Sequence, residues 1–318
     1  MITVLTGGTG GAKFVDGLRR TVPSEEITAI VNTGDDFEWW GLHISPDLDS
    51  ITYVLASLLS KERGWGVQSD TFFCLQTMAG MAQPAWFQIG DRDLAVHVLR
   101  SQLIRQGKTL TGATAQIAVG LKIPARILPM SDFPVATMVT TPDGEISFQE
   151  YFVHRRYRDP VRAVRFAGAG RATPAPGVIE AISETSAVLI APSNPVTSIG
   201  PILAVPGIRE ALRQTSAPVV AISPIVGGAA VSGPAGALMA TQGLAVSIAG
   251  VAKAYEDFLD ALVADQRDDA EAAKLERSGL RVHLTNTVMK TAEDKLALAK
   301  SAVVAASAIA PVVASIET

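Results

Sequence analysis

The first seventeen residues, MITVLTGGTGGAKFVDG, constrain this chain more than any other stretch. Ile2-Thr3-Val4-Leu5 is short, apolar and β-branched, the pattern of a buried strand. Gly7, Gly8, Gly10 and Gly11 follow at once, and Phe14 and Leu18 then fall four apart, as on one helix face. Strand, glycine turn and helix open an α/β unit. Such a turn lets backbone come close to a ligand and aims free helix N–H groups at an anion. Gly8, Thr9, Gly10, Gly11 and Lys13 are therefore a candidate phosphate cradle, with Lys13 as a point charge. A tight turn without ligand and a solvated lysine fit the same residues. The motif is not G-x-G-x-x-G, because Lys13 stands where the third glycine belongs. It lacks the P-loop spacing too, since Phe14 follows the lysine. A nicotinamide dehydrogenase and an ordinary NTPase are both disfavoured.

The 318 residues are enough for one elaborated α/β domain, and 48% hydrophobic with 18% charged describes a globular chain. A net charge of −4 carries no basic signature for nucleic acid. Cys74 is the single cysteine, so no intrachain disulfide can form, which fits a cytoplasmic protein. It sits among Phe72, Phe73 and Leu75 and reads as a small buried hydrophobe. The N-terminus reads as a strand and not as a secretion signal. The longest apolar tract, Ala302 to Ile316, is too short to span a bilayer and reads as a packed or oligomer-facing helix interrupted at Pro311.

Ile27 to Val31 reads as a second strand ending in Asn32-Thr33-Gly34-Asp35-Asp36. In open α/β sheets ligands gather beyond such strand ends. Asp47 and Asp49 follow in SPDLDS, where Pro46 suggests a helix start. Four aspartates in fifteen residues, after a phosphate-type loop, suggest Mg²⁺, a hard cation that bridges carboxylates and phosphates. Each also fits a turn or N-cap residue. Trp65, Phe72, Phe73, Trp86 and Phe87 form an aromatic segment suited to stacking on a planar ligand or to plain packing. In Gly90-Asp91-Arg92-Asp93, Arg92 reads as either a structural ion pair or an anion contact. The four histidines show no metal-ligand spacing and read as structural. Val135–Thr140 and Ile146–Phe152 flank Pro142-Asp143-Gly144 as a hairpin, and the basic run at 154–158 follows as a solvated face or an anion-binding rim. The apolar runs at 187–191 and 219–222 read as parallel strands. They deliver two further polar loops, Pro192 to Pro201 and Ser223 to Gly228. An acidic helical region over 255–275, a β segment at 281–284 and a closing helix over 292–306 complete the chain.

GGTGGAK (7–13), VNTGDD (31–36), SPDLDS (45–50), GDRDLA (90–95), APSNPVTSIGPIL (191–203), SPIVGG (223–228) and TNTVMKTAEDKLALA (285–299) resemble the 2-phospho-L-lactate transferase (CofD) family of deazaflavin coenzyme F-420 biosynthesis. The resemblance runs in order over nearly the whole chain. It implies a Rossmann-like α/β fold, a mostly parallel sheet flanked by helices, in one domain whose span of about 50–180 contains the inserted, largely helical acceptor-binding region. It implies a cytoplasmic homodimer, without nucleic-acid or membrane partners, that requires Mg²⁺. The implied reaction moves a phospho-acid from its guanosine diphosphate conjugate (lactyl- or enolpyruvyl-2-diphospho-5′-guanosine) to 7,8-didemethyl-8-hydroxy-5-deazariboflavin, releasing GMP.

By the same resemblance Asp49 and Arg92 contact the deazaflavin, and Asp49 and Lys13 are catalytic. Gly8, Thr9, Gly10, Gly11 and Lys13 cradle the diphosphate, and Ser193 and Asn194 hold the guanosine end. Asp49, Asp47 and Asp36 are metal candidates, with Asp35 beside them. Where the family commonly carries basic residues after SPIVGG, this chain has Ala229 and Ser232. The alternatives are the same transferase with a 3-phosphoglycerate-type donor and a non-catalytic nucleotide-binding regulator on the same scaffold.

Overall fold

The computed structural model describes residues 1–309. Pro311, the expected interruption of the last helix, lies outside them. A seven-stranded sheet forms the centre. Its strands are β1 (Ile2–Thr6), β2 (Ile27–Val31), β3 (Arg126–Pro129), β4 (Ala187–Ile190), β5 (Val219–Ile222), β6 (Ala261–Asp265) and β7 (Arg281–Thr285). Their spatial order is β7-β6-β5-β4-β1-β2-β3, and every pairing is parallel. Ile2 of β1 lies opposite Ile27 on one side and Ala187 on the other.

Both faces of the sheet are covered, so the inner strands are apolar without alternation. Val4 packs with Phe14, Val15 and Leu18 of helix α1 (Gly8–Leu18), with Leu48 and Ile51 of helix α2 (Pro46–Leu55), and with the helix Ala292–Ser307. Leu5, one residue on, joins the opposite layer with Ile182, Ile202, Leu212 and Val251. That last helix starts on a reciprocal cap, with Thr291 accepting from Asp294 N and Asp294 accepting from Thr291 N.

The strand order reverses direction between β1 and β4. Successive crossovers move outward from that pair in opposite senses, and this opens a crevice beyond their carboxyl ends. Chain returns here after β1 through Gly7 and after β4 through Pro192.

Within the span 50–180, β3 pairs with β2 as part of the central sheet. The material before β3 is largely helical: α3 (Phe73–Gly80), α4 (Asp91–Arg105) and α5 (Leu110–Gly120). The material after it holds a three-stranded antiparallel sheet of Ala136–Thr141, Gly144–Ser147 and Ala163–Ala167. The hairpin at Pro142-Asp143-Gly144 forms, but its second strand stops at Ser147, and Glu150–His154 is a π-helical turn. Within 255–275, ALVAD is a fully buried strand, β6, whose short apolar run is masked by the acidic residues around it. Cys74 is only partly buried, because α3 turns Phe73 outward at 69% exposure. Among the described residues no helix is long and apolar enough to cross a membrane.

Candidate active site

The crevice is a cleft of about 770 Å³. Its floor is the meeting of the loops after β1 and β4. Ser193 Oγ donates to the Gly7 carbonyl at 2.7 Å. A Cβ on Gly10 would strike the Pro192 carbonyl, and one on Gly11 would lie 2.8 Å from Ser193 Oγ. Loop packing therefore requires these glycines, as ligand approach also would. Gly8 has φ +65°, a left-handed conformation that lets the chain turn from strand into α1. Gly8, Thr9, Gly10 and Lys13 face the cleft, while Gly11 is buried against the strand end. Asn194 also lines the cleft; its Oδ1 accepts from Val196 N at 2.9 Å, a turn that leaves the amide nitrogen without a partner among the described residues.

Asp47 sits in the first turn of α2 and closes the other side of the glycine loop. It accepts from Gly8 N at 2.7 Å and from Asn32 Nδ2 at 2.9 Å. Asn32 in turn accepts from Gly34 N at 2.7 Å, so the VNTGDD turn holds the amide in one orientation. Burial pushes the Asp47 carboxyl up to about 6, against the pull of those two hydrogen bonds. Burial, then the Asp47 charge, pushes Asp35 well above the carboxylate range, and Asp35 Oδ1 has no hydrogen-bond partner among the described residues. Asp36 is raised too, chiefly by burial. Its Oδ2 accepts from Ser45 Oγ at 2.6 Å and lies 3.1 Å from His43 Nε2, and it is not part of the cleft wall.

Asp49 is anchored differently. Arg100 of α4 engages both its oxygens, Nη1 at 3.1 Å from Oδ2 and Nη2 in closer contact with Oδ1. Both side chains are buried, at 3% and 2% exposure. His97 Nδ1 stands 3.4 Å from Asp49 Oδ2, and its Nε2 stands 3.1 Å from Asp93 Oδ1. Tyr53 donates its hydroxyl to that same Asp93 oxygen at 2.5 Å. Asp49, Tyr53, Asp93 and His97 all reach the cleft wall. This network is absent from the expectations drawn above. Its signal was Asp93, His97 and Arg100 at i, i+4 and i+7, one helix face, opposite an acidic α2.

Arg92 lies apart from this network. One residue before Asp93, it points about 100° away around α4. Its Nη1 donates to the Gln68 carbonyl at 3.0 Å, it is exposed, and it is not part of the cleft wall. The aromatic segment divides as well. Phe37, Trp39, Trp86 and Phe87 pack together, Phe37 edge-to-face on Phe87 at 4.9 Å and stacked on Trp86 at 6.3 Å. Trp65, Trp86 and Phe87 also present surface to the cleft, facing Phe148, Phe152 and Tyr157, which stack in sequence at 5.4 and 5.6 Å. Ser232 lines the cleft, whereas Ala229 faces a separate shallow hollow.

Among the described residues no three His, Cys, Asp or Glu side chains come together as a ready-made metal cage. The metal candidates Asp47 and Asp49 have both oxygens engaged by protein donors, and Asp36 lies behind the wall. Asp35, with a buried and unpartnered oxygen in the wall, fits a cation that takes one or two carboxylates and completes its shell with phosphates and water, as Mg²⁺ does.

The family described as 2-phospho-L-lactate transferase CofD matches residues 2–306. This chain belongs to that family. It is 43% identical over 297 residues to the 2-phospho-L-lactate transferase of Methanosarcina mazei, covering 93% of this chain and 97% of that one. It is 41% identical over 314 residues to the phosphoenolpyruvate transferase of Streptomyces avermitilis, covering 97% and 98%. In fold it is similar to the crystal structure of a UPF0052 family member from Bacillus halodurans, with TM-score 0.64 and 17% identity over 95% of this chain and 98% of the other. The chain is a transferase on a Rossmann-like scaffold.

Proposed function

We propose that the cleft transfers a phosphorylated three-carbon acid from its guanosine diphosphate conjugate to the ribityl hydroxyl of 7,8-didemethyl-8-hydroxy-5-deazariboflavin, in coenzyme F-420 biosynthesis. The observation that carries this is the layout of a single cleft. An anion-binding end made by the glycine loop, the N-terminus of α1 and Lys13 meets an aromatic end made by Trp65, Trp86, Phe87 and Phe152, with buried carboxylates among the groups that line it. A diphosphate suits the first end and a flat tricyclic ring the second.

The acceptor's primary hydroxyl oxygen forms a bond to the phosphorus that bears the acid. The bond from that phosphorus to the bridging oxygen breaks, and GMP leaves with the electron pair. The protein's tasks are positioning and charge neutralisation. Asp49, held by Arg100, orients the hydroxyl. Asp47, at about 6, is suited to take its proton near neutral pH. Lys13 and the loop amides meet the diphosphate, and Ser193 and Asn194 face the guanosine end. Mg²⁺, held by Asp35 with substrate phosphates, would neutralise charge developing on the leaving group. The reading carries with it a homodimeric, cytoplasmic enzyme.

The test is a titration with the deazaflavin, followed by its fluorescence, with and without Mg²⁺, then turnover with the lactyl and enolpyruvyl conjugates read as GMP release. Micromolar binding, weakened by Asp49→Ala, and GMP release supports the reading. No binding of the deazaflavin under either condition overturns it.

A further inference from the structure

Lys13 and Arg156 are the two Lys or Arg side chains in the cleft wall, against Asp35, Asp47, Asp49 and Asp93. Lys13 stands at the glycine loop. Arg156 is exposed at the lip of the cleft, beside Tyr157 and Phe152. Two of its neighbours in the basic run are already paired with carboxylates. His154 and Arg155 both bind Glu150, and Arg155 also binds Asp159 at 3.1 Å. Arg156 has no carboxylate partner among the described residues.

The backbone is bent to present it. Arg156 has φ +55° and Tyr157 φ +45°, two successive non-glycine residues in the left-handed region. Such residues are uncommon singly and cost free energy that the surrounding structure must offset. The turn is held by Arg155 N donating to the Glu150 carbonyl at 2.9 Å and Tyr157 N to the Tyr151 carbonyl at 2.8 Å, over a π-helical turn with Tyr151 buried beneath. The result is an unpaired guanidinium in the wall of a cleft otherwise rich in acids.

We propose that Arg156 is a specificity residue that binds the carboxylate of the acid carried by the donor. This rests on the reading of the cleft as a site for a guanosine diphosphate conjugate. The donor then carries three anionic groups, two phosphates and a carboxylate. The glycine loop and Lys13 serve the phosphates, and the lip serves the carboxylate, which a planar guanidinium matches with two parallel hydrogen bonds. Ser232, a neutral residue in the same wall, leaves that charge to Arg156.

The experiment compares binding of GDP and of the lactyl conjugate to the wild type, Arg156→Lys, Arg156→Ala and Arg156→Gly. Glycine removes the guanidinium and relieves the left-handed backbone, so it separates charge from strain. Expected are unchanged GDP affinity in all variants, conjugate affinity down about tenfold or more in the alanine and glycine variants, and a partial loss in the lysine variant. The conjugate's KM should rise with kcat nearly constant. Equal losses for GDP and conjugate, or no loss in the glycine variant, would overturn the assignment while leaving the transferase reading intact. A wild type that binds neither compound would instead remove the reading beneath it.

Discussion

The Asp49–Arg100 pair is the point where stability and site geometry meet, and Arg100→Leu tests both. The two side chains are 3% and 2% exposed and bonded through both carboxylate oxygens. Leucine fills part of the arginine stem's volume but leaves a buried carboxylate without its counter-charge. Breaking a buried pair in this way costs about 3–5 kcal/mol, far more than the same pair would contribute at the surface. For a chain of this size that lowers the melting midpoint on the order of 10 °C. Leucine at both positions removes the stranded charge, so Asp49→Leu with Arg100→Leu should recover most of the loss. Urea unfolding of the wild type, both single variants and the double variant gives the coupling directly. A loss below about 1 kcal/mol, or a double variant no better than Arg100→Leu alone, would refute the argument that Arg100 compensates a buried charge.

Two further outcomes follow from the loops. Burial raises Asp47 from 3.8 to about 6, so its ionisation costs the fold on the order of 3 kcal/mol relative to the unfolded chain. Its stabilising contribution is complete below about pH 4 and is lost as pH rises through about 6. Asp47→Asn should flatten that slope, while setting an amide nitrogen against Asn32 Nδ2 at a cost of about 1–3 kcal/mol. Unfolding midpoints at pH 4.5 and 7 read this, and a variant that keeps the wild-type slope would count against it. Gly10→Ala forces a methyl group onto the Pro192 carbonyl, so both folding stability, by about 1–3 kcal/mol, and GDP binding should fall. Unchanged GDP binding in that variant would show that the two loops can part without harm.

Much of the scaffold was legible along the chain. β1, the glycine turn and α1 could be read because a buried parallel strand is a continuous apolar run and its turn is marked by glycine. β4 and β5 carry the same signal in AVLI and VVAI. β6 escaped notice because five residues between acidic stretches offer too little pattern. β3 lies within the span 50–180, and its pairing with β2 makes it part of the central sheet. In the site, the loops and the aspartates were visible because each follows directly on a strand or starts a helix. The pairing of Arg100 with Asp49 was not legible, because motif position says nothing of helix rotation.

By itself, the order of residues determined the local units: which runs are apolar on both sides, where glycine allows the turn, and that carboxylates gather near a phosphate-type loop. These depend on neighbours a few positions apart. Only the tertiary structure decided which charges meet. Asp49 and Arg100 are fifty-one residues apart, as are the paired halves of no local pattern, and His97 lies between Asp49 and Asp93 only once α4 has packed across α2. Water is excluded there by that packing, and exclusion of water is what turns four ordinary side chains into a network whose charges must balance.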